Sequence, residues 1–540
     1  MRIYPWLLSG LFATASIWAQ KKPNVVFILA DDLGIGDVKC YGGDRCKIET
    51  PNIDELARQG VRFTDAHPNA AVCVPTRVGI MTGSYPWRLK NPDRGGPWGF
   101  LSPRFGKETH SLGDALEASG YKTGYIGKWH LGTLMQTKDG KVQGPDNVDY
   151  RKPLLLGPLQ HGFRYSFVLP GSLDMYPYAF AKNNRWQGEI TARKGWSAFN
   201  RVGPAEKDFE DHEVLETFYR EAEDFIERQD SQKPFFLFLA LTSPHTPTSP
   251  SEKFSGKSKL GLYGDFVMET DHAVERVVKA LREKEMEQNT LVVFSSDHGA
   301  GSYAGNIRKA TANQIKLLEK KGHFSGGEYR GYKFSVYEGG LRVPLLAKWP
   351  EQIPKGRTCD RLVGLNDLFA TFSEVAGHKI PQGSAPDSTS FLSLLKDPEG
   401  KPTRKHLLMQ SVSAMVVRRD NWKLCLCPGS GHNGPFAASP KSMPAWKAAL
   451  QAYGKRPRNH EELLRYPFVQ LYDLDKDPAE RKNLAPEKPD LVEELAQELK
   501  RQILNGRSTP GPKLKNGRDR IHPMQNVPAF VWKKETTKKP

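Results

Sequence analysis

Asn24-Val25-Val26-Phe27-Ile28-Leu29-Ala30-Asp31-Asp32 is the stretch that decides how this 540-residue chain folds. Six apolar residues follow Asn24 without the alternation of a half-exposed strand, so both faces of the strand are buried, as in a parallel sheet covered by helices. The run stops at two adjacent carboxylates. Buried like charges about 4 Å apart repel by several kcal/mol, and a bound cation is the simplest way to keep both ionised. Read alone, the pair also suits a loop or a helix cap.

The pattern recurs. Residues 61–66, 121–127, 235–241 and 290–296 are further short or buried strands, separated by helical periodicity at 50–60, 111–120, 212–228 and 268–287. Three of these strands run into Lys128-Trp129-His130, Thr242-Ser243-Pro244-His245 and Asp297-His298-Gly299. Ligands of doubly wound sheets bind beyond the carboxyl ends of the strands, which brings Asp31, Asp32, Lys128, His130, His245, Asp297 and His298 to one crevice. One such ending is an ordinary loop; four together point to a metal-assisted hydrolase. Residues 155–200, rich in Gly, Pro and aromatics, read as a long loop that walls the crevice. Residues 303–322 read as a polar insertion with a Lys-rich helix, followed by Lys333, a strand at 343–349 and a helix at 365–376. The composition shifts near 395–404. Beyond it, short runs at 407–410, 415–418, 422–427 and 470–474 predict a small antiparallel sheet, and 489–504 a helix.

A second decisive stretch is Ala71-Val72-Cys73-Val74-Pro75-Thr76-Arg77-Val78-Gly79-Ile80-Met81-Thr82-Gly83. Pro75 fits the first turn of a helix, which puts Cys73 at a helix start, where backbone N–H groups and the helix dipole favour an anion or a thiolate. Arg77, one turn on, reaches the same spot. A small buried hydrophobe at a helix start is the alternative reading of Cys73.

Apolar residues make up 38% of the chain, enough to bury a large core and a smaller one. Arg2, the mainly apolar run 4–18 and the small Ala19 read as an export signal, too short for a membrane span. The chain is expected to be exported, periplasmic or extracellular, without stable membrane insertion. Six cysteines are too few for a disulfide scaffold, although Cys40 and Cys46 could close a small loop. No C-x-x-C pair suggests structural zinc. The net charge is +17, and residues 501–540 hold ten basic residues against Asp519 and Glu535. Such a surface attracts polyanions, or is simply a solvated tail; no helix-turn-helix, zinc-finger or RNP pattern supports nucleic acid as the partner.

Cys73-Val74-Pro75-Thr76-Arg77 resembles the signature of the formylglycine-dependent sulfatases, arylsulfatase-like members of the alkaline phosphatase superfamily. Gly120 to Gly132 is similar to the second signature of that family. Tyr337-Glu338-Gly339-Gly340 after Lys333 and Leu471-Tyr472-Asp473-Leu474 are similar to two further blocks. The resemblance implies an α/β fold, alkaline-phosphatase-like: a large, mixed, mostly parallel sheet between helices, with a smaller C-terminal α+β subdomain of antiparallel strands. The expected divisions are a signal at 1–19, a catalytic domain at 20–400, a subdomain at 401–505 and a basic tail at 506–540. The resemblance also implies that a maturation enzyme oxidises Cys73 to formylglycine, whose hydrate attacks a sulfate ester. Asp31, Asp32, Asp297 and His298, with residue 73, would hold a divalent cation, usually calcium in this family. His298 stands where many relatives have Asn, and an imidazole nitrogen loosens the preference for calcium over magnesium or manganese. Arg77, Lys128 and Lys333 would neutralise the anion, His130 would orient the nucleophile or take its second proton, and His245 with Lys333 would protonate the leaving oxygen. Ser172 matches a sulfate contact loosely. Sulfated carbohydrate is the expected substrate, with 155–200 and 425–470 choosing the sugar. A phosphodiesterase or phosphonate hydrolase on the same scaffold and a non-catalytic polyanion-binding protein are the competing readings.

Overall fold

Asn24–Asp31 (β1) is the centre of the molecule: every residue from Val25 to Asp31 is buried, and the strand is paired on both sides by parallel neighbours. A computed structural model describes residues 21–540, except 91–95, 196–200, 305–313, 435–438, 519–520, 525–526 and 533–540. The expected export signal at 1–19 lies outside these described residues.

Further strands of the main sheet are Val61–Phe63 (β2), Lys122–Lys128 (β3), Tyr165–Leu169 (β4), Ala181–Lys182 (β5) and Arg185–Trp186 (β6). Phe235–Pro244 (β7), Thr290–Ser296 (β8), Leu345–Lys348 (β9) and Arg357–Cys359 (β10) complete it. The spatial order is β10-β2-β9-β8-β1-β7-β3-β4-β5-β6. β8, β1, β7, β3 and β4 run parallel, whereas β9 and the β5–β6 hairpin are antiparallel insertions. Helices cover the sheet; among them are Pro51–Arg58 (α1), the nearly wholly buried Cys73–Thr82 (α2), Leu112–Ala118 (α3), Val214–Glu227 (α4), Leu262–Glu283 (α5) and Leu368–Val375 (α6). The expected α/β class and mixed, mostly parallel sheet are therefore what the chain adopts.

Two expectations need correction. The region 155–200 is not only loop, because Tyr165-Ser166-Phe167-Val168-Leu169 joins the main sheet beside β3. Its short length and the Gly and Pro residues around it hid a strand that only its neighbour defines. The stretch read as a solvated tail is packed in part: Asn516 accepts from Arg88, Gly517 N–H donates to the Arg88 carbonyl, and Met524 and Val531 are buried, while Lys513, Lys515 and Arg518 are exposed. Apolar residues spaced among its charges supply that contact. All six cysteines are free, and Cys46 Sγ faces the carbonyls of Asp37 and Ile48 instead of Cys40.

His406–Gln410 (β11), Met415–Arg419 (β12), Trp422–Cys425 (β13) and Gln470–Asp473 (β14) form the antiparallel four-stranded sheet, with Pro489–Asn505 (α7) packed on it. A buried ionic network ties this sheet to the main body. Lys423 Nζ on β13 lies 2.8 Å from both Glu338 Oε1 and Glu480 Oε1, while Arg342 and Arg418 bind Asp65. Burial, and then the negative charge of Glu338 working against the attraction of Lys423, holds the Glu480 carboxyl up at about 7. A carboxyl raised above its unfolded value of 4.5 loses its stabilising contribution as pH rises from about 4.5 through about 7. Glu480→Gln removes this titration, so the melting temperature of the variant relative to the parent should climb across that window. Paired melting curves at pH 4.5, 6 and 7.5 check the slope, which a constant difference would refute.

Candidate active site

Strand order sets residue order at the crevice. Side by side, β8, β1, β7, β3 and β4 deliver Asp297 with His298, Asp31 with Asp32, His245, Lys128 with His130, and Ser172. Register keeps these ends level: Ala30 lies opposite Ser296, Asp31 opposite Pro244 and Lys128 opposite Leu169. Gly127, with φ 113°, lets β3 approach β7, since a Cβ there would meet the Ala240 carbonyl at 1.8 Å. Two elements outside the sheet complete the site. Helix α2 starts at Cys73 and carries Arg77 one turn in. Lys333 is anchored by its own N–H on the Ala300 carbonyl and by that of Phe334 on the Ala71 carbonyl, each at 2.9 Å. All eleven residues singled out from the sequence are buried and gathered here.

Three carboxylates meet three cations. Lys128 Nζ donates to Asp31, Lys333 Nζ to Asp32 Oδ1 at 2.7 Å and Arg77 Nε to Asp297 Oδ2 at 3.2 Å. Burial by itself raises the Asp31 carboxyl, but Lys128, His245 and Arg77 outweigh it and hold the group well below the usual range. The same balance brings Asp32 to about 2, with His245 and Lys333 opposing desolvation. Both acids are ionised at neutral pH.

His298 Nδ1 faces the Gly299 carbonyl at 3.0 Å, so it carries the proton and leaves Nε2 as a lone pair. That nitrogen lies 3.1 Å from Cys73 Sγ, 3.4 Å from Asp32 Oδ1 and 3.5 Å from Asp297 Oδ1. Desolvation lowers the pKa of His298, which keeps the ring neutral and able to bind a metal. Burial pushes the Cys73 thiol up, with Lys333 and Lys128 opposing, so the helix start does not produce the thiolate its sequence favours. An unmodified Cys73 is a poor nucleophile. His130 is kept neutral by burial, and next by the charge of Lys128; its Nδ1 and the Ser172 hydroxyl have no hydrogen-bond partner among the described residues.

Ligand atoms of Asp31, Cys73, Asp297 and His298 lie within 4.8 Å of one another, as do those of Asp31, Asp32, Cys73 and His245. Asp31 Oδ1 accepts no hydrogen bond among the described residues, and its grouping with the carboxylates of Asp32 and Asp297 suits a divalent cation. A second acidic cluster, Asp65, His67 and Glu338, belongs instead to the ionic network, where Arg342, Arg418 and Lys423 already neutralise it. The sequence reading missed Tyr303, whose hydroxyl donates to Asp32 Oδ2 and accepts from Lys333 Nζ at 2.8 Å. One tyrosine beside an apparent polar insertion carries no signal in sequence.

A profile of the family described as Sulfatase matches residues 23–378. The chain belongs to the sulfatase family. An N-acetylgalactosamine-6-O-sulfatase of Bacteroides thetaiotaomicron is 29% identical over 519 residues, covering 89% of this chain and 93% of its own. Human steryl-sulfatase is 28% identical over 556 residues, covering 89% and 87%. A solved structure from work on glycosaminoglycan metabolism by Bacteroides thetaiotaomicron superposes with a TM-score of 0.74 at 28% identity, covering 89% of this chain and 99% of that one. As a sulfatase, the protein is a sulfuric ester hydrolase.

Lys333→Met leaves Asp32 buried without its strongest hydrogen-bonded cation. It should cost about 3–5 kcal/mol of stability and cut turnover of an aryl sulfate roughly 100-fold or more. Tyr303→Phe keeps the lysine and should do less of both; melting curves and initial rates on the pair of variants check the ranking.

Proposed function

We propose that this sulfatase removes the 6-O-sulfate ester from an N-acetylated hexosamine of a glycosaminoglycan, with residue 73 as formylglycine and a divalent cation, most simply calcium, bound to the three aspartates. The observation that carries the chemistry is the ring of three buried carboxylates, each paired with a cation, closed around a protonated Cys73. The saccharide reading is supported by the N-acetylgalactosamine-6-O-sulfatase relative and by the structure from glycosaminoglycan work. The export signal read at 1–19 agrees with a polysaccharide met in the periplasm or outside the cell.

Formylglycine supplies a hydrated aldehyde, one hydroxyl of which is the nucleophile while the other loses a proton when sulfate is released. The cation supplies Lewis-acid polarisation of a sulfate oxygen; Asp31, Asp32 and Asp297 would hold it through oxygen and His298 through Nε2. Arg77, Lys128 and Lys333 bind the sulfate oxygens and take up charge that grows as the S–O ester bond breaks. Ser172 Oγ donates to the same group. His245 Nε2, 3.7 Å from Asp32 Oδ2, protonates the departing alcohol oxygen together with Lys333. Neutral His130 accepts the proton of the second hydroxyl.

Three measurements test this reading. Mass spectrometry of the peptide spanning Cys73, from a host with the maturation system, should find the aldehyde; an unmodified thiol in active protein would overturn the nucleophile. Chelation should lower the melting temperature and calcium should restore it, with magnesium and manganese as comparisons. Among defined substrates, 6-O-sulfated N-acetylgalactosamine should be hydrolysed in preference to the 4-O-sulfate, a steroid sulfate and an aryl phosphate diester. Preference for the steroid sulfate or the phosphate diester would replace the proposal.

A further inference from the structure

Asp174 stands apart from the acids described so far. It is 1% exposed, yet its Oδ1 accepts no hydrogen bond among the described residues. Its other oxygen is taken by Arg201, whose guanidinium donates to Asp174 Oδ2 at 2.8 Å and to the Asp174 carbonyl at 2.9 Å. The Arg201 fork in turn lies 3.5 Å from the centre of the Trp98 ring, a cation–π contact that keeps it flat. Trp98 is 39% exposed, and its turn packs on the loop that carries Asp174: Gly99 N–H donates to the Tyr176 carbonyl, and a Cβ on Gly171 would lie 3.1 Å from Gly99 Cα.

The position of Asp174 says what Oδ1 waits for. The His245 imidazole stands between two carboxylates, with Nε2 3.7 Å from Asp32 and Nδ1 4.0 Å from Asp174 Oδ1. Nδ1 donates to the Thr246 carbonyl at 2.5 Å, so the ring does not satisfy Asp174. Asp174 is thus one ring width from the atom read as the proton donor to the leaving oxygen, on the side away from the carboxylates around Cys73. A sulfate oxygen would be repelled there, and Arg201 already neutralises the charge that a cation would need. A hydroxyl donor is the remaining complement to a buried, orphaned carboxylate oxygen.

We infer that Asp174, held in place by Arg201 and Trp98, is a specificity-determining residue that accepts a hydrogen bond from the substrate hydroxyl next to the scissile ester. For a 6-O-sulfated hexosamine that hydroxyl is O4. This rests on the saccharide reading above. It also explains why an acid is tolerated beside an anion site: the enzyme recognises the sugar by supplying the acceptor that the sulfate cannot use. A site built around a substrate hydroxyl discriminates strongly against analogues that lack it, because the buried partner is then left unpaired.

The experiment compares kcat/KM of the full-length, matured enzyme and its Asp174→Asn variant on 6-O-sulfated N-acetylgalactosamine, its 4-deoxy analogue and an aryl sulfate. Arg201 retains the amide oxygen in the variant, so an NH2 group faces the sugar in place of the acceptor. The variant should lose roughly 10- to 100-fold on the sugar sulfate and no more than about threefold on the aryl sulfate. The parent enzyme should lose a similar factor on the 4-deoxy sugar, a comparison that needs no variant to fold. On that analogue the parent and the variant should differ by less than about threefold. Equal losses on the sugar and the aryl sulfate would make Asp174 a support for His245 and overturn the inference alone. Parent enzyme that cleaves the aryl sulfate but no 6-O-sulfated sugar would overturn the saccharide reading and this inference with it.

Discussion

Three ion pairs, Lys128 with Asp31, Lys333 with Asp32 and Arg77 with Asp297, are the constraint on which the rest of the molecule depends. All six side chains are buried, and an unpaired charge in such a place costs several kcal/mol. The partners come from five separate parts of the chain, so no pair forms until the sheet has assembled with its strand ends level. A one-residue slip of β1 against β8 or β7 would turn Asp31 and Asp32 away from their cations, and the apolar faces of β1 would lose their packing in the same step. The hydrophobic register and the electrostatic register enforce each other.

The same constraint shapes the chemistry. Cations that neutralise acids in the pocket are also the groups that can bind sulfate oxygens, so the site is balanced in charge and still rich in donors. Cys73 sits within this balance as a protonated thiol, because burial outweighs the neighbouring lysines. A sulfur that is neither ionised nor exposed is a poor nucleophile, which is what the maturation proposed for Cys73 would change.

The four-stranded C-terminal sheet takes part at a distance. Lys423 and Arg418, from its strands, bind Glu338 and Asp65 in the main body, and Glu338 lies five residues beyond Lys333. Ser430 adds a backbone link by accepting from Val336 N–H at 2.8 Å. The segment that presents Lys333 to Asp32 is therefore clamped from both sides, by Ala71 and Ala300 on one and by the second sheet on the other. Within 425–470, His432 packs on Phe334, next to Lys333, with ring centres 5.0 Å apart. Trp446 and Leu463 are buried in the other core.

Much of this was legible in the chain itself. Unbroken apolar runs such as 25–30 and 291–294 specify buried parallel strands because alternation is absent, and the polar residues that close them mark the carboxyl edge of a sheet. The four short runs of the second sheet were equally plain from their spacing. What could not be read was anything set by a distant neighbour. Tyr165–Leu169 is a strand because β3 lies beside it, and parts of the basic terminal stretch are packed because Arg88 and α7 receive them. Tyr303, Asp174 and Arg201 carry no local pattern at all, since their roles come from which carboxylate or imidazole the fold sets against them. The sequence by itself determined the elements, their polar endings and the residue types available for catalysis, because these follow from local periodicity and composition. Only the tertiary structure decided the pairing of each acid with its cation, the protonation of Cys73 and the open acceptor on Asp174, because desolvation and Coulomb forces act between groups far apart in the chain and close in space.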